Sequence, residues 1–248
     1  MSLPPDYSAP ADLLTGRNIL ITGAGDGIGR ALASACAEHG ATTLLLGRTT
    51  AKLESVYDEI VDAGHPEPGL LPIDLTQLDA ARINEVIDAV DTHYGALHGL
   101  VHNAALLGDR VPLSHYDTDT WHRLMQVNVN AVFLLTQALL PALERGNDAS
   151  LIFTSSGVGQ KPRAFWGAYA VSKYALEGFA TLLADELENT SWTRSNIVYP
   201  CATRTSMRAR AYPNEDPATL KTTSAVVPLF LYLLGPDSQG IHGQRFDA

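Results

Sequence analysis

The segment YAVSK, from Tyr169 to Lys173, places a phenol and an ammonium four residues apart. On a helix, side chains with this spacing lie on one face, with their β-carbons about 5–6 Å apart. A lysine at that distance favours the phenolate form of a tyrosine, whose ordinary pKa is about 10. The pair is therefore a candidate proton donor near neutral pH. The alternative is that Tyr169 and Lys173 only share a partly exposed helix face.

A second candidate site is the glycine-rich segment ILITGAGDGIGRAL, which has glycines at positions 23, 25, 27 and 29. Glycines let the backbone turn tightly and approach a pyrophosphate, which binds at the positive N-terminal end of the next helix. The segment is not a P-loop, because no Lys and Ser/Thr follow the last glycine, and Ile28 replaces the last glycine of G-x-G-x-x-G. Its pattern, T-G-x-x-x-G-x-G from Thr22 to Gly29, predicts a dinucleotide site, with a merely structural turn as the alternative.

The second apolar run ends in LLLGRTT, at the point where dinucleotide-binding folds distinguish their cofactors. An acidic residue here accepts the 2′-hydroxyl of NAD, whereas an arginine suits the 2′-phosphate of NADP. Gly47 has no carboxylate, and Arg48 has a planar fork that binds phosphate well. The sequence thus favours NADP(H) over NAD(H), against the alternative of a solvated surface arginine. Asp26, expected near the ribose, slightly weakens this preference.

Composition restricts the partners and the compartment. The 248 residues are 46% hydrophobic and 18% charged, which is typical of a soluble globular protein. A formal net charge of −10 argues against nucleic acid as the main partner. Two isolated cysteines, Cys36 and Cys201, form no disulfide framework, so a cytoplasmic location is expected. No signal-peptide pattern, 18-residue apolar run or metal-ligand spacing occurs, so no membrane partner and no metal are expected.

Short apolar runs alternate with long amphipathic segments along the chain. Strands are predicted at 17–22, 42–47, 69–74, 98–103, 150–155 and 195–200. Helices are predicted near 28–39, 50–63, 77–94, 117–145, 167–189 and 218–234. Apolar strands separated by helices indicate a parallel sheet covered on both faces, and right-handed crossovers make it doubly wound. We expect a loose, proline-rich tail at residues 1–14 and a single domain over 15–248.

The predicted helices near 117–145 and 167–189 are apolar over more of their circumference than one core contact requires. A helix that is apolar on two faces is buried twice. We therefore expect a homodimer or homotetramer formed through these two helices. The alternative is that a neighbouring loop covers the second face.

Six motifs occur in the order and spacing of the short-chain dehydrogenase/reductase family, which the chain resembles from about residue 12 to its C-terminus. They are TGAGDGIG (22–29), HNAA (102–105), VNVN (127–130), TSSG (154–157), YAVSK (169–173) and PCATRT (200–205). The match is closest to one subgroup of bacterial oxidoreductases. The resemblance implies an α/β fold: one Rossmann domain with a seven-stranded parallel sheet of order 3-2-1-4-5-6-7, helices on both faces, and a substrate loop at about 203–217.

The resemblance also implies a catalytic tetrad, made of Asn128, Ser156, Tyr169 and Lys173. Family spacing selects Ser156 over Ser155 and Asn128 over Asn130. Tyr169 would exchange a proton with the substrate oxygen, and Ser156 would donate a hydrogen bond to it. Lys173 would tune the tyrosine, while Asn128 would hold a backbone distortion and a water that relays protons.

Cofactor contacts are implied in the same way. Asp74 would contact the adenine ring, Asn103 would brace the sheet, and Thr205 would contact the nicotinamide carboxamide. The implied set is Gly23, Gly25, Asp26, Gly27, Ile28, Gly29, Arg48, Asp74, Leu75, Asn103, Ala104, Tyr169, Lys173, Pro200, Thr203 and Thr205. The chain departs from the family at His102, where Asn is usual, and at Cys201, where Gly is usual; its RFDA ending replaces Asp-Gly-Gly.

These residues predict an NADP(H)-dependent oxidoreductase that transfers a hydride between nicotinamide and a small-molecule carbonyl or secondary alcohol. One alternative is a reductase of 3-oxoacyl groups on an acyl carrier protein, for which a basic patch would receive the acidic carrier: Lys161, Arg163, Arg204, Arg208 and Arg210. Another is a non-catalytic NADP(H)-binding sensor or scaffold. Phe165, Trp166 and Tyr212 suggest either an apolar or aromatic carbonyl substrate or simple loop anchors.

Overall fold

The computed structural model describes all 248 residues, Met1–Ala248. Its centre is one seven-stranded, fully parallel sheet with strand order β3-β2-β1-β4-β5-β6-β7, which confirms the predicted order. The strands are β1 (Asn18–Thr22), β2 (Thr42–Gly47), β3 (Gly69–Pro72), β4 (Gly99–His102), β5 (Ser150–Thr154), β6 (Arg194–Tyr199) and β7 (Arg245–Asp247). The six predicted apolar runs are β1 to β6.

Eight α-helices surround the sheet. They are α1 (Gly27–Glu38), α2 (Thr50–Asp62), α3 (Ala80–His93), α4 (Thr118–Met125), α5 (Ala131–Arg145), α6 (Gly167–Leu187), α7 (Ser206–Ala211) and α8 (Thr223–Leu234). Side chains alternate between the two faces of a strand, so the sheet has two cores. Ile19 and Ile21 pack with α1 and α8, whereas Leu20 packs with α5 and α6 on the opposite face. Both faces are therefore covered by helices, as predicted.

Strand order reverses between β1 and β4, since β1 is followed in the sheet by β2 on one side and by β4 on the other. In open parallel sheets the crevice at such a reversal, outside the carboxyl ends of the strands, is the usual ligand site. The segments that follow β1 to β6 meet at the carboxyl ends of these strands, and they and α6 carry most of the predicted site residues.

Residues 1–14 pack against the rest of the molecule, which differs from the predicted loose tail. Leu14 is fully buried and Leu13 nearly so, both in the apolar cluster beside α1 and α8. The Tyr7 hydroxyl donates to Asp237 Oδ2 at 3.1 Å, and its ring meets the edge of Tyr232 at 4.9 Å. The prolines suggested a solvated segment, but the apolar residues between them find contacts that only the folded chain provides.

The helical stretch Thr118–Arg145 contains α4, a π-helical turn at Gln126–Asn130, and α5. By length and composition alone it is the one stretch apolar enough to cross a membrane, a test that core helices of soluble proteins also pass. Leu135, Leu139 and Leu143 are buried against the sheet, which accounts for part of its apolar character.

Candidate active site

A cleft of about 390 Å³ lies at the carboxyl ends of the central strands, within the usual size range of ligand pockets, about 300–1,000 Å³. All but two of the predicted site residues line it. Those lining it are Gly23, Gly25, Asp26, Gly27, Ile28, Arg48, Asp74, Leu75, Asn103, Ala104, Ser156, Tyr169, Lys173, Pro200, Thr203 and Thr205. Gly29 and Asn128 are the two that do not line the cleft.

The glycine turn after β1 needs its glycines for two different reasons. Gly23 and Gly27 have φ angles of +70° and +55°, in the left-handed region that favours glycine. Gly29 is needed for space, because a β-carbon there would lie 2.2 Å from the Gly23 carbonyl oxygen and 2.7 Å from Asn103 Nδ2. Gly29 therefore lets α1 pack closely behind the turn.

The N-terminal end of α1 fits an anionic group. Asp26 is the N-cap residue, yet its side chain makes no capping hydrogen bond. Its carboxylate instead binds Lys52 Nζ at 2.7 Å, and this hydrogen bond is the main reason that the pKa of Asp26 is lowered. The first N–H groups of a helix have no partners within the helix, and the helix dipole is positive there. With the glycine cradle beside it, this end of α1 suits a pyrophosphate.

Asn103 joins β4 to β1 at the strand reversal. The backbone N–H groups of Asn103 and Ala104 both donate to Thr22 Oγ1 at 3.0 Å. Asn103 Nδ2 donates to the Thr22 carbonyl oxygen at 3.1 Å. These bonds join the glycine turn to the end of β4 at the floor of the cleft.

The far end of the cleft carries the residues expected near an adenosine. Arg48, just beyond β2, is exposed and makes no ion pair or hydrogen bond with another side chain. Asp74 Oδ1 accepts from the Thr76 N–H at 2.9 Å, which orders the turn after β3. A free guanidinium at this position fits a phosphate.

At the other end, α6 brings the proposed reacting groups together. Tyr169 and Lys173 are buried, at 7% and 3% exposure. Lys173 Nζ donates to the Thr154 carbonyl oxygen at 2.7 Å and lies 5.8 Å from the centroid of the Tyr169 ring. The Ser156 side chain also lines this end of the cleft and acts to lower the pKa of Tyr169. Two hydroxyls and an ammonium therefore share one end of the cleft.

The pKa values of this pair differ from the sequence-based expectation. Burial raises the pKa of Tyr169 to about 12, although the neighbouring Ser156 side chain acts to lower it. Burial also lowers the pKa of Lys173 to about 8, with the Glu177 carboxylate opposing the shift. Each shift arises because removal from water disfavours a charged form. Spacing on the helix suggested that Lys173 would favour the phenolate, whereas burial acts in the opposite direction and favours the protonated phenol.

Asn128 lies in the π-helical turn between α4 and α5, so the backbone is distorted at this residue. Its Oδ1 accepts from the Leu106 N–H at 2.8 Å, and its Nδ2 donates to the Leu106 carbonyl oxygen at 2.9 Å. Nδ2 also donates to Ser172 Oγ at 3.0 Å. The side chain thus fastens the loop after β4 to α6, and the water relay stays a prediction.

The two departures from the family pattern have different consequences. His102 points into the core, where it stacks on Phe153 and bonds Thr136 Oγ1 at 2.8 Å; burial lowers its pKa to about 3, so it is neutral. Cys201 lines the cleft with a φ of +57°, a conformation that favours glycine. Its backbone therefore keeps the glycine-like path despite the side chain.

The substrate end is closed by residues whose packing the sequence did not reveal. Leu107, Trp166, Met207 and Ala211 line it together with Arg208 and Arg210. The Arg110 guanidinium lies over the rings of Trp166 and Tyr212, at 4.6 and 5.0 Å from their centroids. Trp166 is thus both a cleft wall and an anchor for the loop after β4.

The basic patch predicted for a carrier protein is partly engaged within the chain. Arg208 forms two hydrogen bonds of 2.6 Å with Glu215 and stacks on Tyr212. Arg204 Nε donates to the Pro217 carbonyl oxygen at 2.7 Å. Lys161, Arg163 and Arg210 are exposed.

Sequence reasoning missed Glu177, which accepts a hydrogen bond of 2.5 Å from Ser155 beside the catalytic candidates. Its position four residues after Lys173 was the available signal, since residues with that spacing share a helix face.

Comparisons with known proteins agree with this geometry. The family model described as short chain dehydrogenase matches residues 17–216. The oxidoreductase YciK of Escherichia coli K12 is 46% identical over 242 residues, which cover 98% of this chain and 95% of that protein. Within the family, YciK-type enzymes are the subgroup that the motifs indicated.

Solved structures are similar over almost the whole chain. A short chain dehydrogenase from Pseudomonas syringae has 50% identity and a TM-score of 0.95, with 98% of each chain covered. One from Shigella flexneri 2a, complexed with NADP, has 46% identity and a TM-score of 0.93, covering 96% of this chain and 99% of that one. One from Escherichia coli CFT073, complexed with NADPH, has 47% identity and a TM-score of 0.93, covering 96% and 98%. The chain belongs to the short-chain dehydrogenase/reductase family of oxidoreductases.

Proposed function

We propose that the chain is an NADP(H)-dependent oxidoreductase that transfers a hydride between nicotinamide and a carbonyl or secondary alcohol, with Tyr169 as general acid and base. The main support is the meeting of Ser156, Tyr169 and Lys173 at the end of a cleft that begins at a glycine-cradled helix terminus. Similar structures that hold NADP and NADPH support the choice of cofactor.

The glycine turn would hold the pyrophosphate, Arg48 the 2′-phosphate, and the segment from Pro200 to Thr205 the nicotinamide. When bound, the dinucleotide supplies the hydride for reduction or accepts it in oxidation. The chain's own residues handle the proton and the developing charge.

In reduction, Tyr169 donates its proton to the carbonyl oxygen; it is protonated at neutral pH because burial raises its pKa to about 12. Ser156 donates a hydrogen bond to the same oxygen as negative charge develops there. Lys173, fixed on the Thr154 carbonyl, places its positive charge where it stabilises the phenolate that remains. Asn128 holds this part of α6 in place through Ser172.

The test is NADPH oxidation against a broad carbonyl panel, with NADH as the control cofactor. Turnover of at least one carbonyl class with NADPH is expected. NADPH binding with no turnover across the panel would favour the sensor or scaffold alternative. Turnover restricted to carrier-bound 3-oxoacyl thioesters would favour the carrier-protein alternative. The Arg208–Glu215 ion pair counts against that alternative, because it neutralises one charge of the basic patch.

Arg48→Gln is expected to weaken NADPH binding about tenfold and leave NADH binding unchanged. A hydrogen bond to a charged group contributes about 1.5 kcal/mol at its lower limit, and 1.4 kcal/mol is tenfold in affinity. Arg145→Gln is the control, because it removes the same charge at a position away from the cleft. Arg145 is the last residue of α5, which leads to the amino ends of the strands, opposite the cleft. Fluorescence titration measures both constants. Equal weakening of both cofactors would contradict the role given to Arg48.

We also propose that the chain forms a homodimer or homotetramer through α5 and α6. Val171, Tyr174 and Leu182 leave 44–57% of their surface exposed along one face of α6, and Phe133 of α5 is 46% exposed. Residues three and four apart share a helix face, so the three α6 side chains form one apolar stripe. Contiguous exposed apolar patches of this kind mark interaction surfaces.

Leu182→Glu is expected to convert the oligomer to monomers, because an unpaired carboxylate buried in an apolar interface is strongly unfavourable. Val61→Glu is the control: Val61 is 40% exposed but lies on α2, away from the stripe. Sedimentation equilibrium measures both. A monomeric wild type at micromolar concentration, or an unchanged Leu182→Glu oligomer, would contradict the proposal.

We further propose that residues 15–248 act as one domain in the cytoplasm. The single domain is supported by one sheet that contains every strand. The cytoplasmic location is supported by Cys36 and Cys201, which are free thiols, as is usual for proteins of reducing compartments. The proposed substrate loop, 203–217, contains α7, and Met207 and Ala211 of this helix line the cleft. A single cooperative transition in calorimetry would support one domain, and two separate transitions would contradict it.

A further inference from the structure

Glu177 continues the line of functional side chains on α6. Tyr169, Lys173 and Glu177 are spaced by four residues, so they lie along one helix face. The Glu177 side chain is only 13% exposed. A carboxylate that is largely removed from water is costly unless it is paired and hydrogen-bonded. The proposed mechanism does not use it, so its presence beside the cleft calls for another role.

The carboxylate is held from two sides. Ser155 Oγ donates to Glu177 Oε1 at 2.5 Å, and Arg245 Nε of β7 lies 3.5 Å from the same oxygen. Arg245 also pairs with Asp247. Charges therefore alternate in sign from the buried Lys173 through Glu177 and Arg245 to the exposed Asp247.

Gly159 shows how closely this pair is packed. A β-carbon at Gly159 would lie 2.7 Å from Ser155 Oγ and 2.8 Å from Glu177 Oε1, and 3.1 Å from the Lys173 carbonyl oxygen. Only a residue without a side chain fits there. The loop after β5 thus encloses the Ser155–Glu177 hydrogen bond beside α6.

Several titratable side chains lie around the Lys173–Glu177 pair: Tyr169 on α6, His102 on β4, Tyr199 on β6 and Arg245 on β7. Glu177 is the carboxylate whose charge acts on Lys173. His102 is neutral, since burial lowers its pKa to about 3, and Tyr199 lies under the Arg245 guanidinium. Burial lowers the pKa of Lys173 to about 8, and the charge of Glu177 opposes that shift.

We propose that Glu177 is a positioning residue of the active site, whose carboxylate, fixed by Ser155 and Arg245, is the counter-charge that keeps the buried Lys173 ammonium protonated. This inference rests on the proposed role of Lys173 in stabilising the Tyr169 phenolate. Because Ser155 precedes Ser156, the same hydrogen bond also fixes the strand end that presents the Ser156 hydroxyl.

The experiment measures Lys173 directly, without cofactor or substrate. The chain has four lysines, so ¹³Cε-lysine labelling gives few NMR signals, and Lys173→Met identifies the one that titrates near pH 8. In Glu177→Gln that midpoint is expected to fall by about one pH unit, as for loss of a nearby opposite charge. In Arg245→Gln the Lys173 midpoint is expected to rise, because the Glu177 carboxylate then interacts with Lys173 alone and no longer with Arg245.

Two further variants separate charge from shape. Glu177→Asp keeps the carboxylate and is expected to restore most of the midpoint. Glu186→Gln removes an equal charge from an exposed position of the same helix and is expected to leave the midpoint unchanged. A Glu177→Gln midpoint equal to that of the wild type, or shifts of the same sign in Glu177→Gln and Arg245→Gln, would overturn the proposal.

The kinetic consequence is a change in pH profile rather than a uniform loss. Reduction needs the ammonium, so activity falls as pH rises through the pKa of Lys173. In Glu177→Gln this alkaline limb is expected to move to lower pH by the shift seen in the NMR titration. An equal loss of kcat at every pH, with an unmoved limb, would overturn the proposal and indicate a merely structural residue. A shifted NMR midpoint in a chain without turnover would support Glu177 and count against the proposed function alone.

Discussion

Tyr169→Phe is expected to lower kcat for carbonyl reduction by about 10²–10⁴-fold, the usual contribution of a positioned general acid. The substitution removes the phenolic oxygen of Tyr169, and with it the proton that the proposed mechanism transfers to the substrate. Ser156 and Lys173 remain beside the ring. Ser156 still donates a hydrogen bond, but an aliphatic hydroxyl is a much weaker acid than a phenol and does not replace it as the proton donor. The ring packs against Trp166, with centroids 5.8 Å apart, and phenylalanine keeps that contact.

Binding of NADPH should be almost unchanged in the same variant, so fluorescence titration separates loss of chemistry from loss of the cleft. Tyr174→Phe is the matched control, since it removes the same atom from an exposed tyrosine, 56% accessible, on the same helix. It is expected to keep wild-type kcat. If Tyr169→Phe retained more than about a tenth of the activity, another group would be the general acid.

Gly29→Ala is expected to lower the free energy of unfolding by about 3 kcal/mol, the upper part of the range for overpacked sites. The new β-carbon would lie 2.2 Å from the Gly23 carbonyl oxygen, and Gly23 belongs to a turn whose backbone is already held by β2 through hydrogen bonds to Leu46. Neither α1 nor the turn moves without breaking those contacts. NADPH binding should weaken too, because the turn and the helix end form its proposed phosphate site.

Gly47→Ala is the matched control for stability. Its β-carbon would approach only the Leu53 side chain, the nearest atom being Cδ2 at 3.1 Å, and a flexible side chain is able to shift. A cost below about 1 kcal/mol is expected. Urea denaturation of both variants checks the comparison. Equal stability of Gly29→Ala and the wild type would show that helix α1 moves back from the turn at little cost.

The amino-acid sequence by itself determined the elements and the place of the site. Runs with a continuous apolar centre, such as those of β2 and β5, are strands because both faces of a central parallel sheet are buried. The glycines at 23, 27 and 29 are required by backbone angle or by space, which are local properties of the chain. The strand order and the choice of Ser156 over Ser155 came from the family resemblance, since neither follows from local spacing.

The tertiary structure alone decided the charges and contacts of the site. Helical spacing pairs Tyr169 with Lys173, but their pKa values depend on burial by elements distant in sequence, which raises the pKa of Tyr169 and lowers that of Lys173. The role proposed for Glu177 likewise depends on Arg245, 68 residues away. A local pattern determines which side chains share a helix face. Desolvation and ion pairing depend on everything packed around that face, so only the folded chain sets them.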